Sequence, residues 1–268
     1  MLKTPRKPII FIILIGIIIF LLFLTVEFKK DTKNSVYSEK NACEKHSVTD
    51  IDGNTYKTIY IGNKCWMAEN LKTTTYKDGT PIPKIKDHNE WWSDTEGSYA
   101  LYDHTFPFYY PSKKISSDQE MLKTYGLLYN FYAVTNPSGL CPEGWKIPSD
   151  KDWKNIEKYL GMSITETQKK WYRGENVGSK LAGKADLWNK NGILGEKFDI
   201  SGFKALPAGY RRTYGDYGNL GSNANFWTSD EQDEKNAKSR EIFTENKGIY
   251  RIVNMNKNNG LSVRCMKK

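Results

Sequence analysis

From Ile9 to Val26 the chain runs without a single charge, almost entirely through Ile, Leu and Phe. As a helix rising ~1.5 Å per residue this run covers about 27 Å, close to the thickness of a bilayer's hydrocarbon core. Lys3, Arg6 and Lys7 precede it, so residues 1–8 read as a basic leader and residues 9–26 as a transmembrane signal anchor. A cleaved signal is the alternative. It normally has a shorter apolar stretch and small residues before the cut, whereas this one ends Thr25-Val26-Glu27-Phe28. Lys29, Lys30 and Lys33 on the far side leave the flanking charges nearly balanced, so orientation is argued from the cysteines below. Residues 27–42 are polar and lack apolar periodicity, which predicts a tether and not a fold element. Residues 43–268 remain as the folding body, long enough to bury a core of its own.

That body is polar but rich in rings. Only 38% of the chain is hydrophobic, yet it holds 8 Trp, 17 Tyr and 11 Phe, and that aromatic content argues against disorder. A loop-rich domain built around large rings is expected. The formal charge is +9, but no basic run is long enough to make a patch by itself. The excess is read as a solvated lysine-biased surface, and nucleic acid is not an expected partner.

Cys43, Cys65, Cys141 and Cys265 allow three pairings. None forms a C-x-x-C, and the histidines (His46, His88, His104) lack zinc spacing, so no metal or cofactor is expected. Isolated cysteines behind an export signal fit two disulfides in an oxidising compartment, which places the body outside the cytoplasm. The expected bridges are Cys43–Cys65, closing the opening hairpin region, and Cys141–Cys265, tying a helix entry to the final strand.

Val48 to Met67 reads as a β-meander, with turns at Asp52-Gly53 and Gly62-Asn63. Regularity fades from Leu71 to about Lys123, where Pro81, Pro83, Pro107 and Pro111 mark long loops. Ser149 is the expected N-cap of a helix with Asp152 at its third position, an apolar stripe of Trp153, Ile156 and Leu160, and Gly161 as its stop. A weaker helix is expected over Ile164–Lys170. Ile249–Val253 and Leu261–Met266 read as a closing hairpin around an Asn-rich turn, its last strand half-buried through Leu261, Val263 and Cys265. Strands, a central helix and strands again predict an α+β domain.

Several blocks share one further property. Thr49-Asp50-Ile51-Asp52-Gly53-Asn54, Ile61-Gly62-Asn63-Lys64-Cys65-Trp66-Met67-Ala68-Glu69-Asn70-Leu71, Tyr125-Gly126-Leu127-Leu128-Tyr129-Asn130-Phe131, Gly202-Phe203-Lys204-Ala205-Leu206-Pro207, Phe226-Trp227-Thr228-Ser229 and Gly260-Leu261-Ser262-Val263-Arg264-Cys265 occur in that order. In this the body resembles the Fibrobacter succinogenes major paralogous domain, over nearly everything from Val48 onward. The resemblance implies a C-type lectin-like fold in an exported, envelope-attached bacterial protein, and a superfamily habit of joining helix and terminal strand by a disulfide. It does not carry the superfamily's calcium-dependent sugar site, because Glu-Pro-Asn, Gln-Pro-Asp and Trp-Asn-Asp are all missing.

The implied function is a non-catalytic binding module for an envelope or extracellular glycan or protein. The contrasting expectation is an enzyme acting on such material. It rests on a likeness of Gly144-Trp145-Lys146-Ile147-Pro148-Ser149 to the helix entry of formylglycine-generating enzymes, which need a reactive cysteine pair. No carboxylate pair or nucleophile motif is selected by spacing. The candidate ligand residues are Tyr210, Arg211, Arg212, Tyr214, Asp216, Tyr217 and Asn219, where rings, guanidinium groups and an amide share a Gly-rich stretch expected to be a long loop. Packing of that loop is the competing role for its rings. Trp91-Trp92 with Phe106–Tyr110 forms a second candidate surface, and packing of the long irregular segment is the equal alternative for these rings.

Overall fold

A computed structural model describes Leu21, Val36 and residues 38–105, 115–195 and 197–268. The expected span over residues 9–26 lies outside the described residues apart from Leu21. Among the described residues no helix is long and apolar enough to cross a membrane. Phe106–Tyr110 also lie outside them.

The opening meander forms from β1 (Ser47–Thr49), β2 (Thr55–Ile61) and β3 (Lys64–Met67). Its second turn needs positive φ at both central residues, and Gly62 and Asn63 supply it at 61° and 62°. The five-stranded sheet has the order β1-β2-β3-β13-β6, where β6 is Trp145–Lys146 and β13 is Met266–Lys267. A six-stranded sheet has the order β7-β12-β11-β10-β8-β9, built from Trp171–Arg173, Ile249–Asn256, Asn236–Phe243, Asn223–Glu231, Ala208–Arg211 and Tyr217–Leu220. β4 (Tyr99–Ala100) pairs with β5 (Leu128–Tyr129). The domain is mixed α+β, with short curled antiparallel strands and few helices.

The principal helix spans Asp150–Tyr159. Ser149 and Asp152 cap each other reciprocally, and Trp153 and Ile156 are buried beneath it. The two ion-paired acids Asp150 and Glu157 are also buried. The next helix covers Ile164–Gln168 behind Ser163, two residues shorter than expected. Trp66, Trp153, Phe203 and Phe226 form one ring cluster with centroids 5.5–5.9 Å apart. A second core gathers Tyr56, Tyr129, Phe131, Trp227, Cys141 and Cys265.

Both expected disulfides are present, Cys43–Cys65 and Cys141–Cys265, with Cα atoms 5.7 and 5.9 Å apart. Four other expectations need correction. The end of the expected tether, residues 38–42, is helical, in a helix that runs on to residue 45. The irregular stretch contains the helices His88–Ser93 and Asp118–Tyr125, capped by Asp87 and Ser117; their short, polar sequences hid the periodicity. The stretch Tyr210–Asn219 is a tight β8–β9 hairpin, with Arg211 opposite Tyr217, and not a long loop.

The closing hairpin does not form either. Both edges of β12 are already taken, by β11 and β7. The chain therefore leaves the Asn-rich turn sideways and threads the domain. Gly260 bridges Arg211, Leu261 bridges Tyr129, Ser262 bridges Phe226 and Met266 pairs with both Trp66 and Lys146. Every residue from Leu261 to Met266 is buried, so both faces are covered and not one.

Candidate functional site

The β8–β9 hairpin is held from below by Arg211. Its guanidinium is fully buried. It donates to the backbone carbonyls of Gly215, Ile85, Lys86 and Asp87 and lies 4.3 Å over the Trp91 ring and 5.3 Å from that of Tyr217. This corrects the expectation that Arg211 meets a ligand: it clamps the hairpin to the segment 85–87. Gly215 enables the approach, because a Cβ there would come within 2.6 Å of the His88 Cα. Tyr217 packs on Tyr102 at 4.9 Å. Asp216 accepts from Arg212 at 2.5 Å. Asn219 takes a positive φ of 61° on β9, and it does not line the pocket described next.

With Arg211 turned inward, the neighbouring side chains turn outward. Tyr210, Arg212, Thr213 and Tyr214 wall a pocket of about 290 Å³ that is completed by Asn225, Glu241, Met255 and Asn259. Asn225 on β10 stands opposite Glu241 on β11. Both polar atoms of the Asn225 side chain are buried and lack a hydrogen-bond partner among the described residues. Such a group costs about 1–3 kcal/mol unless something bonds to it, and in a native structure it calls for an explanation. Burial pushes the Glu241 carboxyl above its ordinary value, with a hydrogen bond from Asn223 working the other way. The Arg212 guanidinium lies 5.8 Å from the Tyr210 ring. At the rim Tyr214 is 71% exposed and leans on Trp92, itself 57% exposed, with centroids 6.0 Å apart. Trp91 of the second candidate surface is instead buried.

Of the residues singled out in the sequence, the fold brings Tyr210, Arg212 and Tyr214 to the pocket. It adds Asn225, Glu241, Met255 and Asn259, which sequence reasoning missed. One signal was available: Asn223 and Asn225 stand beside Ala224, Phe226 and Trp227 in one strand, where asparagine is disfavoured. Glu241 and Met255 gave none, because only the β10–β11–β12 register brings them here. Among the described residues no group of three or more His, Cys, Asp and Glu could hold a metal ion.

The model of the Fibrobacter succinogenes major domain family matches residues 59–267. The chain belongs to this family. No curated protein and no solved structure matches it. Within this Fibrobacter succinogenes major domain the pocket belongs to the six-stranded sheet and its β8–β9 hairpin, both inside the matched region.

Proposed function

We propose that this chain is an exported, membrane-anchored binding module of C-type lectin-like architecture that takes a neutral saccharide at the hairpin pocket. The observation that carries the reading is the unpartnered, buried amide of Asn225 in the pocket wall. An amide offers both donor and acceptor, and a sugar hydroxyl is both acceptor and donor, so the two satisfy each other. Glu241 and Arg212 add a carboxylate and a guanidinium for further hydroxyls. The exposed pair Tyr214 and Trp92 gives flat apolar faces at low entropic cost, as ring stacking on a sugar requires. All four cysteines are held in the two disulfides, which supports the binding reading over the thiol chemistry of formylglycine-generating enzymes.

The test is a carbohydrate array probed with the detergent-solubilised full chain, alongside its Tyr214→Ala and Asn225→Ala variants. Binding to a defined set of neutral glycans, lost in both variants, is the expected result. Equal binding by all three proteins would remove the pocket from the account.

A further inference from the structure

A second concavity, sharing no lining residue with the hairpin pocket, lies where β2, the helix Asp118–Tyr125 and the segment 184–206 meet. Its volume is about 680 Å³, and five lysines line it: Lys57, Lys72, Lys123, Lys184 and Lys204. They come from widely separated parts of the sequence, so no basic run announces them. Two carboxylates share the lining, and both are engaged. Glu69 pairs with Lys72 at 3.3 Å, and Glu120 accepts from the Ser116 backbone and hydroxyl at 2.9 Å. Lys57, Lys123, Lys184 and Lys204 have no carboxylate within ion-pair distance among the described residues.

Two further observations set this groove apart from an ordinary lysine-rich surface. Lys184 and Lys204 both have left-handed backbone, with φ of 52° and 55°, a conformation that disfavours every side chain but glycine's. The chain thus keeps lysine at two exposed positions where glycine would be conformationally easier. Beneath the groove Arg264 is 1% exposed. Its guanidinium meets only neutral acceptors, Asn70 Oδ1 at 2.8 Å, the Lys204 carbonyl at 2.7 Å and the Phe203 carbonyl. Asn70 is itself part of the lining, so a buried positive charge with no carboxylate in direct contact underlies the lysines, the charges of Glu69 and Asp199 reaching it only from farther away.

We propose that this groove binds a short segment of an acidic polysaccharide through its carboxylate or sulfate groups. Lysine ammoniums are mobile point charges that suit anions spaced along a flexible chain better than one rigid planar group. No aromatic side chain lines the groove, which disfavours both base stacking by a nucleic acid and a hot-spot protein contact. A volume in the ordinary range for small-ligand sites fits a few sugar units.

The test uses the full chain in detergent with two fluorescent probes, an oligogalacturonate hexasaccharide carrying carboxylates and a heparin-derived hexasaccharide carrying sulfates. At least one should bind, and its affinity should fall about tenfold or more between about 50 and about 200 mM salt. The decisive variant is Lys184→Gly combined with Lys204→Gly. Glycine adopts the left-handed conformation without strain, so the variant should melt no lower than the parent while its affinity drops about tenfold or more. A Lys169→Gln, Lys170→Gln control, which removes the same charge outside the groove, should bind as the parent does. Which probe binds assigns the anionic group. The proposal is overturned if neither binds at low salt, if the glycine variant binds as the parent does, or if single-stranded DNA or poly-glutamate binds more tightly than both.

Discussion

At the scale of single residues, Arg211 and Tyr214 stand three positions apart in one hairpin and carry opposite roles. Arg211→Met leaves the carbonyls of Gly215, Ile85, Lys86 and Asp87 without their donor, and should cost about 3–5 kcal/mol in chemical denaturation. Tyr214→Ala removes an exposed ring and should change stability by less than about 0.5 kcal/mol while lowering saccharide affinity about tenfold. Glu241→Gln separates the two kinds of effect further. Burial raises the Glu241 carboxyl in the folded state, so its ionisation costs stability as pH rises from the ordinary value of 4.5 through the raised folded value. The glutamine variant should therefore gain in melting temperature over the parent as pH rises through that window, and bind saccharide more weakly. The sequence showed that rings and cations cluster at residues 210–219. It could not show which way each side chain turns, because that depends on the long-range clamp between Arg211 and residues 85–87.

At the scale of elements, the helix Asp150–Tyr159 was legible in outline because a capping box and an apolar stripe are local. Its buried charges were not. Glu157 receives Arg173 at 2.5 Å and Arg240 at 2.6 Å, and Asp150 receives Arg240 at 2.9 Å and Arg251 at 2.7 Å. These arginines come from β7, β11 and β12, so the network exists only once the helix lies on the six-stranded sheet. Removing one member leaves uncompensated buried charge, and Glu157→Gln should cost about 3–5 kcal/mol. Burial by itself would raise the Asp150 carboxyl, but the hydrogen bond from Arg251 and the charge of Arg240 outweigh it and hold that carboxyl well below the ordinary range. Its stabilising contribution is therefore complete above the ordinary value of 3.8 and is lost as pH falls below it. Asp152, also lowered against its burial by Lys146 and Ser149, acts in the same direction. Melting temperature measured from pH 6 downward should begin to fall steeply near about pH 4, and Asp150→Asn should flatten that fall.

At the scale of the whole molecule, the segment Gly260–Lys267 joins what would otherwise be separate layers. Its neighbours in space come from residues 66, 129, 146, 211 and 226. A hairpin was the natural local reading of its sequence, and only the occupied edges of β12 rule it out. The Cys141–Cys265 bridge anchors this segment across a separation of 124 residues, against 22 for Cys43–Cys65. In the chain-entropy model the two are worth about 5 and about 3 kcal/mol. Cysteine-to-serine replacement of the longer bridge should therefore lower the denaturation midpoint more than replacement of the shorter one. The proposal that the pocket on this framework takes a saccharide meets its most direct test in hydrogen exchange of the full chain, with and without a neutral glycan selected on the array. Slowed exchange confined to residues 210–217, 223–227, 239–243 and 255–260 is the predicted result. Unchanged exchange there at saturating glycan, or protection confined to other parts of the domain, would contradict the assignment of the site.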